Sequence, residues 1–337
     1  MKSGPLVSIC IPTFNRAEMV GKAIESALSQ TYTNIEVIVV DNASTDNIEE
    51  VVASFDDPRL KFVKNDENLG LFGNFNRCIE IYNGSFLHIL HSDDYIDKDF
   101  TAKCVRFFEK NPTVWLTCTS SRSICGENTE ERQYSDIDIV FEAPEGFRRL
   151  LSGRSFISCP SVMVRRGLYE NIGKFSLEYP YSSDYYQWLY VSRFFNIAYI
   201  SDAWINYRVG KHSESYRLLF NTPLGYLDTI KIYSRLIEEL GSEIDDYSFE
   251  INLSLRRFIG DCFFAGFMRS DNMDNFRPGI FTGIAMTSWS LTMPVSLKMK
   301  MNKLFILLSI LFAGCIMHFK FMRKFVRIVL FWKHDLY

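Results

Sequence analysis

The stretch "LHILHSDDY", residues 87–95, begins as an apolar run and closes on two carboxylates, Asp93 and Asp94. Adjacent like charges repel, and removing them from water is costly, so a packed core gains nothing from the pair. Either they mark a solvated strand end or a cation sits beside them. Carboxylate oxygens are hard ligands that suit Mg2+ or Mn2+. Such ions commonly take one or two protein carboxylates and fill the remaining positions with water and phosphate oxygens. The residue types point to a metal–diphosphate complex, provided the surrounding elements form a crevice of nucleotide size.

Those elements alternate. "LVSICIP" (residues 6–12) is a β-branched strand ended by Pro12, and Asn15 with Glu18 three residues on reads as a capping box for a helix reaching Gln30. "IEVIVV" (35–40) is a continuous apolar run, the pattern of a parallel strand buried on both faces. Thr45 or Asp46 caps a helix to Phe55; "LKFVKN" is a third strand, "LFGNFNRCIEIY" a helix and "SFLHIL" a fourth strand. This alternation predicts an α/β, doubly wound, Rossmann-like sheet, in which ligands bind beyond the carboxyl ends of the strands. Polar residues collect at those ends: Thr13 to Asn15, Asp41 and Asn42, Asn65 to Asn68, and Asp93 with Asp94. One polar strand end means only contact with water, whereas four carrying Asp or Asn predict a shared polar crevice. No G-x-G-x-x-G follows the first strand and no G-x-x-x-x-G-K-[ST] occurs, which removes the main support for dinucleotide and P-loop readings.

Taken together, "VSICIPTFNR", "IEVIVVDNASTDN", "NDENLGLFGNFN" and "LHSDDYI" resemble, in order and spacing, the inverting family-2 glycosyltransferases with the GT-A fold. The resemblance covers residues 5–215 and implies a nucleotide-diphospho-sugar site, most simply for a UDP-sugar, with Mn2+ or Mg2+ as cofactor. It implies that Thr13 and Phe14 line a nucleobase pocket and that Asp41 hydrogen-bonds the base. Asn15, Arg16, Asn68, Asn76, Ser92 and Asp94 join the donor site, and Asp93 is the metal-binding carboxylate. Two positions depart from the family pattern. His91 replaces the first Asp of the D-x-D element, and Phe75 stands where many relatives carry an Arg facing the diphosphate, with Arg77 one turn on as a substitute. For His91 the alternatives are contact with the ribose or a ligand-bound water, or no role at all.

In the second half, "AKCVRFFEKNP" reads as a helix, "VWLTCTSS" as a strand and residues 127–138 as a polar surface loop. The segment "IGKF" followed by "SSDYYQWLYV" resembles the family's acceptor side, which implies Asp184 as the catalytic base. A carboxylate that removes the acceptor hydroxyl's proton suits a single in-line displacement at the anomeric carbon. The plain alternative is that Asp184 caps the helix of residues 185–194, a role compatible with facing the crevice. "INYRVGKH" supplies Tyr207, Arg208 and His212, matches to residues that close over the diphosphate; the resemblance implies Arg208 as a donor contact, and His212 as a third metal ligand or phosphate donor, against a structural histidine.

Composition frames the whole. The 337 residues are 47% hydrophobic and 23% charged, and the eight cysteines include no C-x-x-C pair, the usage of a reduced, cytosolic chain. The apolar stretch before Pro12 is too short for a secretory signal. Residues 1–100 are expected to form the nucleotide-binding half and 101–215 the acceptor half of a catalytic domain, 216–275 a helical extension and 276–337 a membrane-associating tail. Residues 298–337 hold eight Lys/Arg against one acid, leaving 29 basic and 39 acidic side chains elsewhere, a net of −10. An acidic body argues against nucleic acid, and a basic, apolar tail favours an anionic membrane surface. Residues 304–319 are uncharged, about 24 Å long as a helix and short of the roughly 30 Å hydrocarbon core. Lys320, Arg323, Lys324 and Arg327 then form one basic helical face. That pattern predicts a peripheral or monotopic attachment at the inner face of the cell membrane. With that location, the family resemblance implies glycan or lipid-linked glycan acceptors for surface polysaccharides. The alternative is packing of the apolar run on the catalytic domain or on a partner subunit in an oligomer. A nucleotidyltransferase and a non-catalytic nucleotide-sugar-binding relative are the competing functional classes.

Overall fold

The structure is a computed structural model that describes residues 4–152, 155–210, 213, 224–255 and 257–258. These fall into two units, one within residues 1–150 and 154–225, the other comprising 151–153 and residues from 226 onward.

Continuous β-branched runs fold as the buried centre of a parallel sheet. β1 (Val7–Thr13) and β2 (Ile35–Asp41) are buried at every position and pair in parallel from Val7↔Ile35 to Thr13↔Asp41. β3 (Leu60–Lys64) flanks β2 and alternates in burial, as an edge strand should. The chain then crosses to the other side of β1 and places β4 (Phe86–Ile89) there, also parallel. The direction of winding reverses between β1 and β4, so their carboxyl ends flank the topological switch point. Helices α1 (Ala17–Leu28), α2 (Ile48–Ala53) and α3 (Leu71–Ile81) make the connections. α1 buries Ala17, Val20, Ala23, Ile24 and Ala27, one face at helical spacing, on this sheet.

Beyond β4 the sheet continues as β9–β6–β10–β5. Its strands are β5 (Tyr95–Ile96), β6 (Val114–Cys125), β7 (Asn128–Arg132), β8 (Ile139–Phe141), β9 (Met163–Arg165) and β10 (Asn196–Arg208). Between them lie α4 (Phe100–Lys110), α5 (Glu145–Ser152), α6 (Leu168–Ile172) and α7 (Ser183–Phe194). β5 pairs antiparallel with β10, Asn206 opposite Tyr95, which brings Arg208 beside the residues that precede β5.

Three local expectations change. Asn15 does not cap α1: its φ of 50° is left-handed, a conformation Asn tolerates, and the side chain instead accepts from the Thr45 N–H at 2.9 Å. The first free N–H of the helix, that of Ala17, goes to Asp46 Oδ2 at 2.8 Å, so Asp46 serves α1 rather than its own helix. Residues 127–138 are not all loop, since β7 pairs antiparallel with β6 across a two-residue turn, Gly126–Glu127, with Gly126 at φ 60°. A Gly at the first turn position suits this hairpin, while a fully exposed polar strand shows no apolar alternation to betray it.

In the second unit, α8 (Leu224–Leu240) buries Ile232, Tyr233, Leu236 and Leu240 along one face, and a 3-10 turn, Gly241–Tyr247, leads to further helix carrying Ile251 and Leu255. Tyr233 and Ser254 join these segments by a hydroxyl–hydroxyl hydrogen bond. Among the described residues no helix is long and apolar enough to cross a membrane. The apolar and basic segments expected to associate with a membrane, residues 276–337, lie outside the described residues, as does His212.

Candidate active site

A cleft of about 530 Å³, within the range of ligand pockets, opens at the switch point. Its walls come from the ends of β1 (Thr13, Phe14, Arg16), β2 (Asn42) and β4 (His91, Ser92, Asp93), from Asn68 and the start of α3, and from residues 158–160, Tyr181, Ser182, Asp184, Tyr185 and Tyr207. Of the residues expected to meet a donor, Thr13, Phe14, Arg16, Asn68, Ser92 and Asp93 stand on this surface, and Asp184 shares it. Thr13 is buried and its hydroxyl makes no hydrogen bond within the protein, while Phe14 is 41% exposed, a ring available for stacking.

Asn15, Asp41, Asn76, Asp94 and Arg208 do not line the cleft. Asp41 is fully buried, and its carboxylate accepts the Ser44 N–H at 3.2 and 3.3 Å, holding the turn after β2. The Asn76 amide is engaged in both directions by the Phe175 backbone, at 2.9 Å each. It fastens the segment around Phe175 to α3. Arg77 pairs with Glu80 at 3.2 Å, also away from the cleft, so it does not take the place of an arginine at Phe75.

A hub that the motifs did not single out shapes the donor side. Asn42 donates to Asn68 Oδ1 at 2.8 Å and to the Gly70 carbonyl at 3.2 Å, and accepts from Asn65 at 3.1 Å and the Leu69 N–H at 2.9 Å. Asn65 reaches on to Asn74, which donates to the Val40 carbonyl. Short amides at three strand and helix ends thus fix the loop that presents Asn68, and the excess of Asn at these ends was the available signal.

The acidic end of β4 is held by arginines. Arg16 Nη1 lies 2.6 Å from Asp93 Oδ2. Arg208 donates its backbone N–H to Asp94 Oδ1 at 2.8 Å, its Nε to the Asp93 carbonyl and an Nη to the Met19 carbonyl at 3.1 Å. Asp94 is fully buried, and that burial, with Asp93 adjacent, pushes its carboxyl well above the usual range. His91 rests against the Phe75 ring, centroids 5.3 Å apart, so the two residues that depart from the family pattern touch each other. Burial lowers the His91 pKa to about 4, keeping the imidazole neutral.

His91, Asp93 and Asp94 each bring a ligand atom within 4.8 Å of the others. Asp94 Oδ2 and His91 Nε2 are buried without hydrogen bonds, the state of groups that lack a partner inside the protein. The donor set therefore fits a divalent cation.

Asp184 is the second residue of α7, and Ser182, not Asp184, occupies the cap position. A carboxylate in the first turn is favoured by the helix dipole, and Asp184 accepts the Tyr185 N–H at 2.8 Å with the Cys159 thiol as a further donor. Burial outweighs these and raises its pKa from the ordinary 3.8 to about 6. The described cysteines are free: Cys10, Cys78, Cys104 and Cys118 buried, Cys159 half-buried and Cys125 exposed.

Comparison with known proteins agrees with this architecture. The glycosyl transferase family 2 model matches residues 8–173. The UDP-Glc:alpha-D-GlcNAc-diphosphoundecaprenol beta-1,3-glucosyltransferase WfgD of Escherichia coli is 30% identical over 218 residues, covering 62% of this chain and 79% of that protein. A glycosyltransferase of Haemophilus influenzae is 28% identical over 227 residues, covering 64% of this chain and 69% of the other. In fold, the chain is similar to S. aureus TarS 1–349 in complex with UDP, with a TM-score of 0.65 at 18% identity, covering 85% of this chain and 81% of that one. It is also similar to the mannosyltransferase PcManGT of Pyrobaculum calidifontis in complex with GDP-Man and Mn2+, with a TM-score of 0.51 at 16% identity, covering 94% and 87%. A Rossmann-like α/β sheet with its cleft at the switch point, relatives matched over most of their length and a family model over residues 8–173 lead to one assignment: the chain belongs to glycosyl transferase family 2.

Proposed function

We propose that the protein moves a hexosyl or N-acetylhexosaminyl group from a nucleotide-diphosphate donor, a UDP-sugar, to a glycan or lipid-linked glycan acceptor, with inversion at the anomeric carbon. The observation that carries the reading is one cleft holding both the Arg16–Asp93 pair and a carboxyl, Asp184, whose pKa of about 6 suits a base at neutral pH.

Thr13 and Phe14 receive the nucleobase and ribose, the hydroxyl as a hydrogen-bonding group and the ring as a stacking face. Arg16 orients the donor's phosphates from the end of β1, and Asn68 and Ser92 complete the polar rim. Asp41, Asn15 and Arg208 act by holding the turns on which these residues stand. His91, Asp93 and Asp94 would hold Mn2+ or Mg2+, with His212 a further candidate on sequence grounds. When bound, the cation supplies Lewis-acid neutralisation of the charge that develops on the departing diphosphate. Asp184 takes the proton from the acceptor hydroxyl as its oxygen attacks the anomeric carbon and the bond to the diphosphate breaks. The rim of Tyr181, Tyr185 and Tyr207 screens that proton transfer from water.

The named substrates of the E. coli relative support a UDP-sugar donor and a polyprenol-diphosphate-linked acceptor in bacterial polysaccharide assembly. The basic, apolar C-terminal sequence supports attachment at the membrane surface where such acceptors reside. A thermal-shift screen of nucleoside diphosphates with MnCl2, followed by transfer assays with stabilising donors, tests the reading. UDP at about 100 times its Kd should stabilise by about 2.7 kcal/mol. A protein that no nucleotide stabilises would overturn it.

A further inference from the structure

We propose that His91 is a nitrogen ligand of the cation site, and that it tilts the site toward transition-metal ions such as Mn2+ and Co2+ and away from Mg2+. The inference rests on the transferase reading only for the presence of a cation. The choice of ligand comes from the geometry of three side chains.

His91 Nδ1 lies 3.6 Å from Asp94 Oδ2. That is too long for a hydrogen bond, and it falls within the span that two ligands of one small cation can subtend at bonds of about 2.0–2.2 Å. Asp94 is fully buried, yet its Oδ2 has no hydrogen bond, and the other imidazole nitrogen, Nε2, is likewise buried and unsatisfied. Orphaned polar atoms on two neighbouring side chains, Asp94 Oδ2 and His91 Nε2, are costly unless something partners them. Asp93 completes the set, with all three ligand atoms within 4.8 Å.

The surroundings keep the imidazole in place. Phe75 is 2% exposed and packs against Phe72 and Phe175 at 5.5 and 5.7 Å, so its ring is a fixed wall for His91 at 5.3 Å. An arginine at position 75 would set a cation against the imidazole and repel a metal there, whereas a phenyl ring does neither. Phe75 and His91 thus form one coupled feature of this chain. Imidazole suits first-row transition metals, whereas Mg2+ prefers oxygen and surrenders its water reluctantly.

Pulsed electron paramagnetic resonance of MnCl2 added to the full-length wild-type protein reads the ligand directly. Hyperfine coupling to a directly bound ring nitrogen is expected, with its loss in His91→Asp and in His91→Leu. Calorimetric titration with MnCl2 and MgCl2 should show the Mn2+ over Mg2+ preference falling in His91→Asp on the order of 10–100-fold, the range produced by altering groups around metal ligands. Absence of nitrogen coupling in the wild type, or an unchanged preference in a folded His91→Asp, overturns the proposal. UDP titrated into the same samples separates the two readings. UDP binding without nitrogen coupling removes His91 and leaves the transferase, whereas nitrogen coupling without any nucleotide binding keeps His91 and removes the transferase.

Discussion

In the first hundred residues the cleft is lined by the rings of Phe14, Phe72 and Phe75 and by polar side chains at strand ends, among which Asn42 is pinned by the backbone at Leu69 and Gly70. In residues 155–213 the described lining includes Tyr181, Tyr185 and Tyr207, and its one carboxylate sits at a helix start where burial overrides both the dipole and its hydrogen-bond donors. Around Asn42 the donor wall gains its order from satisfied hydrogen bonds; the acceptor wall holds a carboxylate kept short of full solvation. A binding surface tolerates many small fixed contacts, whereas a base needs its proton affinity raised toward the working pH.

The sharpest way to break this contrast is to neutralise the base. Asp184→Asn is expected to lower transfer by about 10²–10⁴-fold while UDP affinity stays within about twofold of wild type, read by product formation and calorimetry on one preparation. Equal loss in both would merge the walls into a single binding surface. Asn42→Ala attacks the other side: four hydrogen bonds lose their centre, and buried partners left unsatisfied cost about 1–3 kcal/mol each. A Tm lowered by several degrees and UDP affinity weakened by at least tenfold are expected, with turnover at saturating donor largely kept. The mildest case is Phe14→Ala, where loss of a stacking face worth about 0.5–1.5 kcal/mol should weaken UDP about 2–13-fold without moving Tm.

The donor wall was the more legible in the sequence. Continuous apolar runs announced buried parallel strands, and each strand's polar end is a local feature, so Thr13, Asn42, Asn68 and Asp93 could be placed from their own neighbourhoods. Their partners could not. Whether Asp41 faces a ligand or the Ser44 N–H depends on a turn of a few residues, and Asn76 pairs with Phe175, 99 positions away. The acceptor wall was legible only at Asp184, through resemblance. Cys159, Tyr181 and Tyr185 reach the cleft through long-range arrangements with no local pattern, such as the antiparallel pairing of β9 with β4. The contact between His91 and Phe75 belongs to the same class, invisible until both rings are in place.

The pH dependence of turnover, measured beside that of UDP-sugar binding, tests most directly the claim that chemistry belongs to the acceptor wall. Asp184 has its pKa raised from 3.8 to about 6, so the active, deprotonated form is lost as pH falls through 6. Linkage runs the other way for folding: the group's stabilising contribution is complete below its unfolded pKa of 3.8 and is lost as pH rises through 6. Saturated turnover in the wild type should show an acid limb near pH 6 that affinity for the intact UDP-sugar, whose diphosphate diester does not titrate there, does not share, and the residual activity of Asp184→Asn should lack that limb. The same acid limb persisting in Asp184→Asn, or appearing equally in UDP-sugar binding, would contradict the account.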